Sequence, residues 1–134
     1  MSPADDYPHG DALVPERFDE RTVIFLVRPP DAPELPEDEA DALQDAHLAH
    51  QAALAEQGHV LVAGPLTGQD DEQVRGICVL SVDPDRAREL YRGDPAVRAG
   101  RLAIRVATWL VPEGGARFTG VRLPASIAEA MASD

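Results

Sequence analysis

The chain has 134 residues, which is enough for one hydrophobic core and too few for two ordinary domains. Its formal net charge is −12, and its 12 Lys and Arg positions are all arginine. A surface this negative repels phosphate backbones and anionic headgroups, which argues against nucleic acids and membranes as partners.

The compartment is predicted from the cysteine content and from the start of the chain. One cysteine, Cys78, cannot form an internal disulfide, which fits a reducing compartment. Residues 1–6 lack the basic start and apolar run of a signal peptide, and no stretch approaches the roughly 18 apolar residues of a spanning helix. We therefore expect a cytoplasmic protein.

The elements are predicted in chain order from periodicity and from glycine and proline positions. Residues 1–21 are rich in proline and acidic groups and predict an N-terminal arm before a domain at 22–111. Residues 112–134 form a predicted C-terminal tail in which 124–132 favour a short helix. Within the domain, the patterns predict strands at 22–28, 59–63, 74–82 and 101–111, helices at 37–57 and 83–92, and a short turn at 94–100.

The order of these elements predicts the fold class. With right-handed crossovers it gives a ferredoxin-like βαββαβ α+β domain, with both helices on one face of a four-stranded antiparallel sheet. The other face would then present apolar side chains from the first and fourth strands, Trp109 among them. A second copy packed face to face would cover them, so we expect a homodimer of the dimeric α+β barrel type.

Two residues are candidates for acid–base chemistry. His47 shares the apolar stripe of the long helix, and an imidazole with an unperturbed pKa near 6.5 can transfer protons at neutral pH. The alternative is a partly buried histidine bonded to backbone. Asp94 precedes a proline at a helix start, which makes it an N-cap residue, although a cap can also orient a nearby imidazole.

Other polar positions are weaker candidates, each with a structural alternative. Arg28 and Arg105 could bind an anionic substrate, or they could pair with the many carboxylates. Gly64 and Pro65 could let a ligand approach the backbone, or they could simply end a strand. The spacing of His47 and His50 is half of a metal site at most, so we expect neither a metal ion nor a cofactor, and Cys78 fits a small core residue.

Two segments, at 46–65 and 94–100, resemble the YciI-like family, also called the YCII-related domain. The first has a helix histidine, then a glycine, an apolar strand and Gly-Pro, and the second has Asp-Pro followed by Ala-Gly. The similarity spans about residues 22–111 and departs from the family in the acidic loop at 67–72. The resemblance implies a ferredoxin-like protomer, a dimer, and a pocket in which His47 and Asp94 act together.

The function expected from these features is that of a small-molecule enzyme of the lyase, isomerase or dehydrohalogenase type. The family resemblance associates such activities with small cyclic or halogenated organic compounds. An alternative is a non-catalytic dimer that binds a metabolite in the same cleft and regulates another process. A third interpretation is a purely structural dimer with a vestigial pocket, which would be favoured if Asp94 capped its helix and pointed far from His47.

Overall fold

The computed structural model describes residues 14, 16–120 and 122–132, so most of the predicted N-terminal arm lies outside the described residues. The elements begin and end close to their predicted positions. In chain order they are β1 (Phe18–Val27), α1 (Glu37–Glu56), β2 (Val60–Pro65), β3 (Val74–Leu80), α2 (Pro84–Arg92), α3 (Pro95–Arg98), β4 (Ala103–Pro112) and α4 (Ile127–Met131).

The four strands form one sheet in the order β2-β3-β1-β4, and every neighbouring pair is antiparallel. The strands β1 and β4 occupy the centre and one edge, and their pairing runs from Phe18 opposite Pro112 to Val27 opposite Ala103. This arrangement confirms the predicted ferredoxin-like α+β fold. It also places the end of β1 beside the start of β4, where two arginines flank the paired residues.

The hydrophobic core lies between the sheet and the helices on one of its faces. Ile24 and Leu26 from β1 pack in the same buried cluster as Leu54 of α1 and Tyr91 of α2. Burying one such side chain stabilises the fold by roughly 1.5–3 kcal/mol. Because α1, α2 and α3 all contribute to this cluster, residues far apart in sequence meet on one face of the sheet.

Two strands extend two or more residues beyond their predicted ends. The strand β1 begins at Phe18, four residues before the predicted start, because residues 18–21 pair with the end of β4 even though three of them are charged. The strand β2 continues through Gly64 and Pro65, which pair with Ile77 and Gly76 of β3. Proline is tolerated there because β2 is an edge strand, where one side of the backbone needs no partner.

The C-terminal segment is attached to α1. Its predicted short helix is present as α4, whose N-cap residue Ser126 accepts a hydrogen bond from the backbone N–H of Glu129 at 3.1 Å. The Asp45 carboxylate of α1 accepts a second one from the N–H of Ile127 at 2.8 Å, and Leu123 packs against the core cluster. These contacts hold the end of the described chain on the helical side of the sheet.

The opposite face of the sheet has no helix over it in the described residues. Phe25 alternates with the core residues Ile24 and Leu26, and therefore points to this open face. Trp109 of β4 and Val62 of β2 are each 45% exposed there. None of the helices in the described part of the chain combines the length and the apolar character needed to cross a bilayer.

Candidate active site

Two buried polar residues meet between α1 and the junction of α2 with α3. His47 lies in the middle of α1, and only 4% of its surface is exposed. Asp94 directly precedes Pro95, the first residue of α3, and is fully buried at 0%. The cost of burying a carboxylate is several kcal/mol unless it is hydrogen-bonded, so its partners are decisive.

The carboxylate of Asp94 has a different partner on each oxygen. Its Oδ2 lies 2.6 Å from Nδ1 of His47, and its Oδ1 accepts the backbone N–H of Ala96 at 2.8 Å. The two predicted roles, helix cap and histidine partner, therefore coexist in one side chain.

This hydrogen bond sets the arrangement of protons on the imidazole. An accepting carboxylate places a proton on Nδ1 of His47, which in the neutral imidazole leaves the lone pair on Nε2. Within the described residues, Nε2 has no hydrogen-bond partner. An imidazole held in this tautomer can take a proton at Nε2, and the carboxylate then stabilises the imidazolium that forms.

A buried polar cluster made of Gln51, Cys78 and Tyr91 lies on the core side of the site. The Tyr91 hydroxyl is 3.2 Å from both Oε1 of Gln51 and Sγ of Cys78, and the thiol donates to the same Oε1 at 3.3 Å. Burial raises the pKa of Cys78 to about 11 and also raises the pKa of Tyr91. Neither group ionises near neutral pH, which favours the interpretation of Cys78 as a core residue.

A cavity of about 210 Å³ lies near the His47–Asp94 pair, although neither His47 nor Asp94 is among the residues that line it. One wall is formed by Leu43 and Gln44, which lie one turn before His47 on α1. Another wall includes Ala96, whose backbone N–H donates a hydrogen bond to Asp94. Helical side chains lean toward the N-terminus of their helix, so the imidazole of His47 leans over this same turn. The cavity is completed by Arg28, Ala40, Asp41, Arg101 and Leu102.

The two arginines predicted to bind an anion lie in different cavities. Arg28 lines the cavity beside the pair, whereas Arg105 lines a second one of about 560 Å³ at the β4 edge. Arg105 shares that second cavity with Arg88 and Arg92 of α2. Of the two, Arg28 alone lines the cavity near the candidate catalytic pair, and a substrate-binding role for either arginine stays a prediction.

The remaining candidates have structural partners. His50 donates from Nε2 to the carbonyl of Leu90 at 3.1 Å and meets Tyr91 edge to face at 6.2 Å. Gly64 and Pro65 pair with β3 and line neither cavity, so their proposed contact with a ligand also stays a prediction. No group of three or more His, Cys, Asp or Glu residues is placed to hold a metal ion within the described ranges.

Sequence patterns did not single out Arg101 or Gln44, which line the cavity with Arg28. A topological signal for Arg101 was present. In the predicted fold the end of the first strand lies beside the start of the fourth, so Arg28 and Arg101, which flank those two ends, had to be neighbours. Gly100 has a φ of +74° and turns the chain just before Arg101.

One comparison with known proteins identifies the family. The family profile of the YCII-related domain matches residues 21–109. Among solved structures, a 5-chloro-2-hydroxyhydroquinone dehydrochlorinase from Burkholderia phenoliruptrix, determined in complex with 2,5-dihydroxybenzoquinone, is similar with 25% sequence identity and a TM-score of 0.46. The match covers 66% of this chain and 92% of that one. No curated protein matches the chain.

Proposed function

Since the chain belongs to the YCII-related domain family, we propose that it is an enzyme acting on a small organic molecule, with His47 as general base or acid. Asp94 holds the imidazole in one tautomer and stabilises its protonated form. The reaction type that suits one proton-transferring histidine is elimination or isomerisation, as in a lyase, an isomerase or a dehydrohalogenase. The chemistry proposed here uses no metal ion or cofactor.

The observation that supports this proposal is the occupation of both oxygens of Asp94. A residue kept only as a helix cap needs one oxygen, and the Ala96 N–H already satisfies that role. The second oxygen is bonded to His47 at 2.6 Å in a site where both partners are buried. The purely structural interpretation would have been favoured by an Asp94 that pointed away from His47, and the contact removes that support.

The cavity beside the pair is the place where a substrate would bind. Its volume of about 210 Å³ is smaller than the roughly 300–1,000 Å³ typical of drug-sized ligand pockets, so the substrate would be small. Arg28 and Gln44 supply hydrogen-bond donors on its walls. These groups would orient the substrate while His47 removes or adds a proton.

An untargeted conversion assay tests the proposal without requiring that the substrate be identified first. Purified wild-type protein and the variant His47→Gln are incubated with the same bacterial metabolite extract, and the changes are followed by mass spectrometry. We expect at least one small molecule to be consumed far beyond the molar amount of wild-type protein and to survive with His47→Gln.

The same assay separates the enzyme from the alternative, a metabolite-binding or regulatory protein. A binding protein would retain a compound in proportion to its own concentration and convert none. Identical extracts after treatment with wild-type protein and with His47→Gln would contradict the enzyme proposal. The variant His50→Gln serves as a matched control, because His50 bonds to backbone and not to Asp94.

We also propose that the protein is a homodimer sealed at the open face of the sheet. The side chains on that face include Phe25, Trp109 and Val62, and the two last are 45% exposed in the single chain. A second copy presents the same apolar surface and is therefore self-complementary.

The buried free thiol of Cys78 supports a reducing compartment, and we place the protein in the cytoplasm.

A further inference from the structure

Arginines are crowded at the cavity beside His47 in a chain whose net charge is −12. Arg28 and Arg101 both line this cavity, and neither has a carboxylate within ion-pair distance among the described residues. The pKa of Arg28 is lowered, first by burial and then by the positive charges of Arg101 and Arg75. Positive charges are therefore held close together at this cavity, in contrast to the net charge of the molecule as a whole.

The hydrogen bonds of these arginines are incomplete. The Nε of Arg28 is shielded from water and has no hydrogen-bond partner within the described part of the chain. Arg101 donates from Nη1 to the carbonyl of Pro33 at 2.6 Å, which fixes its head group and leaves its other donors available. An unpaired buried donor on a charged group destabilises the fold, and a carboxylate is the planar acceptor that suits a guanidinium.

We propose that this cavity is the binding subsite for the carboxylate of a small organic acid, held by Arg28 and Arg101 beside the proton-transferring His47. The inference rests on the function proposed above and adds the class of its substrate. The carboxylate would sit between the two guanidinium groups, and Gln44 would donate a further hydrogen bond. The carbon that gains or loses the proton would lie toward His47, whose ring leans over the turn that carries Gln44.

The size and rim of the cavity restrict the substrate further. At roughly 30 Å³ for each water, about 210 Å³ corresponds to about seven waters, which suits a short carboxylic acid better than a nucleotide. Asp41 also lines the cavity, but it is exposed. Its charge disfavours a second negative group at that end, so a monocarboxylate fits better than a dicarboxylate.

Matched probes of equal size test this subsite by NMR. Propanoate and propanamide differ in charge and hardly in shape, and inorganic phosphate supplies an anion of different geometry. We expect propanoate to shift the Nε–H resonances of Arg28 and Arg101 saturably, with propanamide and phosphate binding far more weakly. Arg28→Gln and Arg101→Gln should each weaken propanoate binding about tenfold or more.

Two further variants keep the outcome clear. Arg28→Lys retains the charge and loses the planar fork, so it should bind propanoate with intermediate affinity. Arg92→Gln, in the second cavity, should bind like the wild type. Equal binding of propanoate and propanamide, a preference for phosphate, shifts confined to the second cavity, or no saturable shift at Arg28 and Arg101 would each overturn the proposal.

The subsite and the proposed enzyme can fail separately. His47→Gln should lose conversion in the extract assay and keep its affinity for propanoate, because it leaves both arginines in place. Binding of propanoate by a wild-type protein that converts nothing would preserve the subsite and remove the enzyme. Conversion by a protein that does not bind propanoate would support the enzyme and remove the subsite.

Discussion

His47 and Asp94 are separated by 47 positions in the chain and by 2.6 Å between Nδ1 and Oδ2. The contact forms because α1 and the α2–α3 junction pack on the same face of the sheet. Since Asp94 is also the cap of α3, the orientation of its carboxylate is set by the backbone N–H of Ala96 before the histidine is considered. The hydrogen bond from Ala96 therefore orients the Asp94 carboxylate, and the carboxylate orients the imidazole of His47.

Replacing Asp94 by asparagine should separate capping from catalysis. Asparagine caps helices about as well as aspartate, so the Ala96 contact survives, but a neutral amide no longer stabilises an imidazolium. We expect conversion to fall about 10²- to 10⁴-fold. The free energy of unfolding, measured with urea, should fall by about 1.5–3 kcal/mol because a charge-assisted hydrogen bond is lost.

The variant Asp94→Ala is the matched comparison, because it removes the cap as well. The missing cap should destabilise the protein by about 1 kcal/mol beyond Asp94→Asn. Equal stabilities of the two variants would show that the Ala96 hydrogen bond contributes nothing. Full activity in Asp94→Asn would remove Asp94 from the proposed mechanism.

His47 should be more sensitive to truncation than to replacement by a polar residue. The variant His47→Ala leaves the Asp94 carboxylate buried without its partner, and breaking a buried pair in this way costs about 3–5 kcal/mol. The glutamine of His47→Gln can still donate a hydrogen bond to Oδ2 of Asp94, so this variant should be destabilised less. Thermal and urea unfolding of both variants measure the difference in stability. If His47→Ala were as stable as His47→Gln, the buried Asp94 carboxylate would not need a hydrogen-bond donor at position 47.

Much of this site could be predicted from the sequence, since its two central residues carry local signals. His47 follows the helical period of the apolar stripe, and Asp94 precedes a proline at a helix start. The family resemblance then joined the two. Neither signal contains a distance, so the division of the Asp94 oxygens between Ala96 and His47 became visible only when the tertiary packing was known.

The cavity could not be predicted in the same way, because its walls come from four separate segments. Arg101 was predicted only as the first residue of the fourth strand, and its neighbour Arg28 was grouped as an anion-binding candidate with Arg105, which lines the other cavity. The early start of β1 was missed for a related reason. Asp19 and Glu20 are atypical of strands. They form strand pairs here because β4 lies beside them, and this tertiary contact is not part of local strand propensity.

Alkaline pH should destabilise the protein through Cys78. Burial raises the pKa of this thiol from 9.0 to about 11, so the folded protein holds the proton more tightly than the unfolded chain. Its stabilising contribution is complete below pH 9.0 and falls by on the order of 3 kcal/mol as the pH rises to about 11. Urea unfolding across this range measures the slope.

The variant Cys78→Ser is the control for that slope, because a hydroxyl keeps the contacts with Gln51 and Tyr91 and does not ionise. Its stability should decline less between pH 9 and 10. Superimposable curves for the wild type and Cys78→Ser would mean that this thiol has no part in the alkaline transition. At neutral pH the native thiol should also resist thiol reagents until the protein unfolds.

The proposed dimer depends on apolar side chains of the open face, and Trp109 is its most useful probe. A specific interface buries upwards of about 1,000 Å² in total, and a charged residue at its centre is strongly unfavourable. Light scattering should therefore report a dimer for the wild type and a monomer for Trp109→Glu. Met131, 77% exposed on α4 at the helical side, provides the control: Met131→Glu should remain dimeric. A monomeric wild type, or a Trp109→Glu variant that still dimerises, would show that the open face is not the interface.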